Sequence, residues 1–164
     1  MKTLFLIRHA KSSWAEPGLP DHDRALNDRG RRDAPEMGRR LELRGVEPDL
    51  IVSSTALRAR TTARLIADEL GVAPDRIVHD ERVYASSVDR LLYLLQELDE
   101  ALDCVLLVGH NPEMTELARH FSDAIPDMPT CAVAEFRFDA ATWADIGMLA
   151  PAASSFDSPK KGQD

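Results

Sequence analysis

The sequence is short of the features that mark secreted, membrane-bound or nucleic-acid-binding chains. It holds only two cysteines, Cys104 and Cys131, both in apolar stretches without framework spacing. That excludes a disulfide scaffold and reads as two reduced core residues, which points to the cytoplasm. Aromatics make up 5% of residues, and none accompany the arginines between Arg24 and Arg44, where acids are interleaved. With a net charge of −8, a nucleic-acid partner is not expected, because its phosphates are met by clustered Lys and Arg. Long apolar runs are missing as well. Leu4 to Ile7 breaks off at Arg8-His9, short of the roughly seven residues of a signal-peptide core. Nothing approaches the eighteen or so residues of a membrane span, so no membrane partner is expected.

What is present is the composition of an ordinary globular domain, 44% hydrophobic and 29% charged. Apolar runs and helix-period segments alternate along it. Thr3–Ile7, Leu50–Val52 and Cys104–Val108 are continuous runs that stop abruptly at polar residues, as strands buried on both faces do. Between them, Ala59, Thr62, Ala63, Ile66 and Leu70 recur at helical spacing, with Gly71 as the expected C-cap. Val88, Leu91, Leu92, Leu95 and Leu98 follow a Ser86-Ser87 start. A further helix opens at Pro112 and runs through Met114, Leu117, Ala118 and Phe121. Asn27–Arg44 also reads as helix, with Pro35 either kinking it or marking a later start. Ala132–Phe138 and Asp145–Leu149 are expected to form antiparallel strands joined through residues 140–142.

The expectation is therefore one α/β domain over residues 1–150, and a disordered tail over 151–164, which is rich in Ser, Pro, Lys and Ala. In such sheets ligands bind beyond the carboxyl ends of the strands. Three runs end suggestively: at Arg8-His9, at Ser53-Ser54 ahead of Arg58, and at Gly109-His110. If these strands are parallel neighbours, one sheet edge gathers two histidines and two arginines. Phosphoryl transfer needs a placed nucleophile and positive charge around the phosphoryl oxygens. An imidazole supplies the first; two guanidiniums and a second imidazole supply the rest without a metal or cofactor.

The residues resemble the histidine phosphatase superfamily, with its phosphoglycerate mutase-like fold. The family's Arg-His-Gly signature reads Leu6-Ile7-Arg8-His9-Ala10, and Ala in place of Gly resembles the SixA-type branch. The second element reads Ser53-Ser54-Thr55-Ala56-Leu57-Arg58-Ala59-Arg60-Thr61-Thr62-Ala63, and the third Val108-Gly109-His110-Asn111-Pro112. Arg24-Ala25-Leu26-Asn27-Asp28-Arg29-Gly30 matches a further stretch. The resemblance implies a mixed, mainly parallel sheet flanked by helices. It also implies His9 as the phosphorylated nucleophile, and Arg8, Arg58 and His110 as the phosphate pocket. Ser12 and Trp14 match the mutase branch, with Ser12 a candidate substrate-binding residue, but Ala15 replaces its Asn. The mutase branch's insertion carrying an acidic donor and cap is also missing. That favours a phosphatase acting on phosphohistidine of a protein, as SixA-type proteins do. A phosphatase of a small phosphorylated metabolite and a non-catalytic module binding phosphoprotein are the alternatives.

The proton donor has no motif, and Asp80, Glu81, Asp21 and Asp23 are the candidates. Arg60 is expected on the solvated side of its helix, away from Arg58. His22, His79 and His120 have no motif around them and read as surface residues, and Ser53 and Ser54 as turn residues. Cys131 and Arg137 have the spacing of a cysteine phosphatase, but the residues between them read as strand and would hold the two side chains roughly 20 Å apart. Asp21-His22-Asp23 reads as a solvated loop rather than a metal site, and Gly109–Pro112 lacks the glycines and lysine of a nucleotide-binding loop.

Overall fold

The computed structural model describes residues 1–161. A six-stranded mixed sheet forms its centre, with the strands β1 (Lys2–Arg8), β2 (Leu50–Ser53), β3 (Ile77–His79), β4 (Cys104–Gly109), β5 (Val133–Phe138) and β6 (Ala153–Asp157). Their spatial order is β3-β2-β4-β1-β5-β6. The first four of these are parallel, and β5 and β6 add antiparallel pairs. Four helices cover the faces: α1 (Asp28–Leu43), α2 (Leu57–Leu70), α3 (Val88–Gln96) and α4 (Glu113–Phe121).

The alternation of side chains along the central strands divides the core in two. Leu4, Leu6, Val105 and Leu107 point to one face and pack with Leu91, Leu95, Met114 and Leu117 of α3 and α4. Phe5, Ile7, Leu106 and Val108 point to the other and pack with Ala34, Met37, Ala63 and Ile66 of α1 and α2. Both faces being covered, Leu4–Ile7 of β1 and Val105–Val108 of β4 are apolar without a break, and this is why they read as unbroken runs.

The helix boundaries have local causes. Asn27 caps α1 by accepting the Gly30 N–H at 2.9 Å, and the helix continues through Pro35 as one element, with no later start. Gly71 ends α2 in the left-handed conformation, φ 68°. The Ser87 hydroxyl caps α3 by accepting the Arg90 N–H.

Two expectations are corrected at the C-terminal side. Residues 145–149 do not form a strand: Trp143–Asp145 is a 3₁₀ turn, held by the buried Trp143 ring and its indole N–H donating to Leu102 O at 2.7 Å. Beside β1, the antiparallel partner of β5 is β6, within the stretch expected to be disordered. That segment is ordered by the β5 ladder and by Arg40, which hydrogen-bonds the Asp157 carboxylate and three backbone carbonyls beyond it. Residues 162–164 of the same stretch lie outside the described part. Among the described residues no helix is long and apolar enough to cross a membrane.

Candidate active site

Because β1, β2 and β4 are parallel neighbours, their carboxyl ends deliver Arg8-His9, Ser53-Ser54 and Gly109-His110 to one edge of the sheet. A cavity of about 430 Å³ opens there, lined by Arg8, His9, Arg58 and His110 together with Ser12, Asp21, Tyr84 and Glu113. The four residues expected to act together are thus brought together.

His9 is 7% exposed. Its Nδ1 faces the Ala10 carbonyl at 2.7 Å, an acceptor only, so Nδ1 carries the proton and Nε2 keeps its lone pair. Burial lowers the pKa of His9, and nearby His110, Arg58 and Arg8 lower it further, to about 3. The His110 ring lies 5.1 Å from that of His9, centroid to centroid. Burial and Arg58 likewise bring His110 to about 4. Both rings are therefore neutral at physiological pH.

The backbone around His9 is fixed from three sides. Its N–H donates to Gly109 O, and the Ala10 N–H donates to Thr62 Oγ1 at 2.9 Å, which ties α2 to the loop after β1. The Cys131 N–H is shared between Arg8 O and His9 O, with Cys131 at φ 62°. Ala85, at φ 50°, lines the pocket. Uncommon left-handed geometry at two non-glycine residues here follows the tendency of strain to collect at functional sites.

Arg8 donates through Nη1 to Met128 O, which also accepts from Asn111 Nδ2. Burial lowers the pKa of Arg8. Arg58, 5% exposed, is gripped by Asp21, whose carboxylate and carbonyl accept Nη2 and Nη1. The Nε of each of these guanidiniums is buried without a partner. Ser54 is more than a turn residue: its hydroxyl accepts the Ala56 N–H and shares a 2.8 Å hydrogen bond with His110 Nε2.

Ser12 lines the pocket, its oxygen accepting Arg24 Nη1 at 2.6 Å and leaving the hydroxyl proton free to donate. The Ser12–Leu26 bridge brings Arg24 back over the loop, where its guanidinium stacks 3.6 Å above the exposed Trp14 ring. This is the structural work of the Arg24–Gly30 stretch: Arg24 braces Ser12, Leu26 is buried, and Asn27 caps α1.

Of the four candidate acids, only Asp21 reaches the cavity. Asp23 is exposed beside His22, Asp80 caps a 3₁₀ turn and pairs with Arg82 at 2.8 Å, and Glu81 is exposed. Burial raises the Asp21 pKa, but the hydrogen bonds from Tyr84 and Arg58, joined by Arg24, outweigh it and hold the carboxyl well below its usual range. In this arrangement Asp21 anchors the Arg58 guanidinium. Tyr84 and Glu113 escaped the sequence reading. Tyr84 donates to Asp21 at 2.8 Å and sits edge-on to the rings of His22 and His110. The one available signal for Glu113 was its place at the start of the helix following His110.

Arg60 lies outside the cavity, as expected. Cys131 and Arg137 do not converge, since Arg137 is in β5 and pairs with Glu135, and burial pushes the Cys131 thiol up. No cluster of three or more His, Cys, Asp or Glu among the described residues is placed to hold a metal ion.

A neutral imidazole with a free Nε2, flanked by two guanidiniums and a second imidazole at the end of a parallel sheet, defines a class of phosphoryl-transfer proteins. Residues 4–83 match the model of the histidine phosphatase superfamily (branch 1). An uncharacterized protein of Mycobacterium tuberculosis is 30% identical, covering 94% of this chain and all of its own length. The solved structure of a proposed phosphohistidine phosphatase SixA from Agrobacterium tumefaciens is 34% identical, with a TM-score of 0.77, over 84% of this chain and 92% of its own. The protein histidine phosphatase SixA in complex with tungstate shares the fold, at 23% identity and a TM-score of 0.79 over 96% and 97% of the two chains. The chain belongs to the histidine phosphatase superfamily, in its SixA-type branch. It is a phosphatase.

Proposed function

We propose that this phosphatase removes phosphate from phosphohistidine on a protein, through a phosphoenzyme formed on His9, in the cytoplasm. The observation that carries the reading is the state of His9: Nδ1–H held on Ala10 O, Nε2 unprotonated, and a pKa near 3. In the first step Nε2 bonds to phosphorus as the substrate's P–N bond breaks. The leaving ring, already protonated at its other nitrogen, departs with the electron pair as neutral imidazole. Water then attacks the phosphorus, the P–Nε2 bond breaks, and both water protons leave with orthophosphate. Arg8, Arg58 and His110 hold the phosphoryl oxygens, with Ser12 a further donor, and no metal takes part.

The substrate class follows from the proton. An ester oxygen leaves poorly without a positioned acid, which contributes about 10²–10⁴-fold. Of the two carboxyls that line the cavity, Asp21 is held ionised and has no proton to give, which leaves Glu113, at the start of α4, as the one other acid there among the described residues. Phosphohistidine escapes this need, because imidazole is protonated near neutral pH. The lining includes Trp14 and Ala85, both exposed at the surface, which suits a reacting group presented on a protein surface. The free cysteines support a reducing compartment.

The test is to mix the enzyme with ³²P-phosphohistidine protein, quench in alkali and look for label on the enzyme. Label on the wild type, none on His9→Ala, and kcat/KM higher for phosphohistidine than for phosphate monoesters are expected. A metabolite ester turned over much faster than every phosphohistidine protein tested would decide for a small-molecule phosphatase. Phosphoprotein binding without turnover would make the chain a silent module.

A further inference from the structure

We infer that the catalytic pocket opens into a cationic annex that receives a second anionic group of the substrate. Resting on the function proposed above, that group is an acidic side chain close to the phosphohistidine. A second cavity of about 290 Å³ shares Arg8, Lys11 and Thr130 with the catalytic one. Arg8, Lys11, Arg29 and Lys160 all line it, and among the described residues no carboxylate does. Among the described residues, Arg29 is the one of these four cations that is ion-paired, with Asp33 at 3.4 Å on its own helix. The concentration runs against the chain as a whole, whose net charge is −8. An acidic ligand repelled elsewhere is attracted here.

The annex is built rather than accidental. Gly30 lets α1 abut the loop after β1, since a Cβ there would lie 2.2 Å from Lys11 O, and this sets Arg29 and Lys11 at one rim. The opposite rim is the segment after β6, which Arg40 straps down. Arg40 Nη1 donates to the Asp157 carboxylate at 3.2 Å, Ser158 O at 2.9 Å and Lys161 O at 3.0 Å, and Nη2 donates to Pro159 O at 3.1 Å. One guanidinium thus fixes the turn that buries Pro159 and leaves Lys160 exposed at the annex. Arg8 lines both cavities, so an anion in the annex and a phosphoryl group on His9 lie to either side of it.

The experiment compares kcat/KM for phosphohistidine peptides in which glutamate replaces alanine at each flanking position in turn. The wild type is expected to prefer at least one glutamate peptide by about tenfold at low salt, as for one or two surface ion pairs. The preference should shrink at high ionic strength. Lys160→Glu, at an exposed position, should erase or invert it, and Arg40→Ala should weaken it by freeing the strap. Equal rates on all peptides, or a preference untouched by Lys160→Glu, would overturn the annex. If no peptide is hydrolysed, the phosphohistidine reading fails and the annex is read with phosphate monoesters of ω-carboxylic acids of two to six carbons. A carboxylate preference lost in Lys160→Glu would then support it, and equal rates would overturn it.

Discussion

Asp21 holds Arg58 twice, its carboxylate accepting Nη2 at 2.9 Å and its backbone carbonyl accepting Nη1 at 2.7 Å. The guanidinium so fixed has only part of its donor set left for a ligand, and its direction is set by the loop that carries Asp21. Asp21→Asn should lower kcat/KM roughly 10²-fold, the scale of an ångström's misplacement of a catalytic group. Because the carboxylate is ionised, the loss should be similar for esters and for phosphohistidine. A loss confined to esters, measured on both substrates in parallel, would make Asp21 the acid after all.

The two arginines of α2 offer a built-in control. Arg58 is buried in the pocket and Arg60 lies outside it. Arg58→Ala should cost on the order of 10²–10³ in kcat, as loss of one charge-stabilising donor does, whereas Arg60→Ala should cost far less. His9→Ala should abolish turnover in a folded protein, which circular dichroism beside the steady-state assay would establish. Chelators should leave the wild type active, and a loss restored by added magnesium or zinc would overturn the metal-free mechanism.

The central strands and the nucleophile were legible because each left a strong local mark. Leu4–Ile7 and Val105–Val108 are buried on both faces, so their apolarity is continuous, and among the polar residues that follow them Arg8, His9 and His110 line the cavity. β6 left no such mark. Ala153-Ser154-Ser155-Phe156-Asp157 is an exposed edge strand, and its order comes from β5 and Arg40, which are distant in sequence. The stretch 145–149 misled for the converse reason, since its apolar residues follow the buried Trp143 and Ile146 around a turn. In the site, Asp21, Tyr84 and Glu113 were the hard ones. The contacts of Asp21 and Tyr84 depend on side chains meeting across loops, which no spacing along the chain encodes.

Gly30 gives a prediction about stability. The Cβ of an alanine there would sit 2.2 Å from Lys11 O and 3.0 Å from Lys11 N, both backbone atoms. Neither can rotate away, so α1 must move from the loop that carries Ser12 and Lys11. Gly30→Ala should lower stability by about 1–3 kcal/mol, the usual cost of overpacking, and lower kcat/KM as well. Denaturant midpoints would read the first effect and kinetics the second. An unchanged midpoint would mean that this contact is looser than it stands here.

The neutrality of the two pocket histidines makes a prediction about acid. His9 and His110 have pKa values near 3 and 4 in the folded chain, against about 6.5 when unfolded. Above pH 6.5 neither state binds these protons, and the rings make no difference to stability. Between 6.5 and 4 the unfolded chain binds them and the folded chain does not, so stability falls as the pH falls. Each ring contributes a slope of at most about 1.4 kcal/mol per pH unit over that window. Urea denaturation at pH 7 and pH 5 should therefore show a loss that His9→Gln and His110→Gln each reduce. Inorganic phosphate should reduce it too, because a bound anion favours the charged rings. Catalysis should report the same pKa values from the other side. Once the substrate's own titrations, of its phosphoryl group and of its leaving ring, are allowed for, kcat/KM, which reports the free enzyme, should stay level from pH 7 to pH 5. An acid limb of kcat/KM with a midpoint near 6.5, beyond what the substrate's own titrations produce, would mean that His9 is not held neutral by its burial and its cationic neighbours.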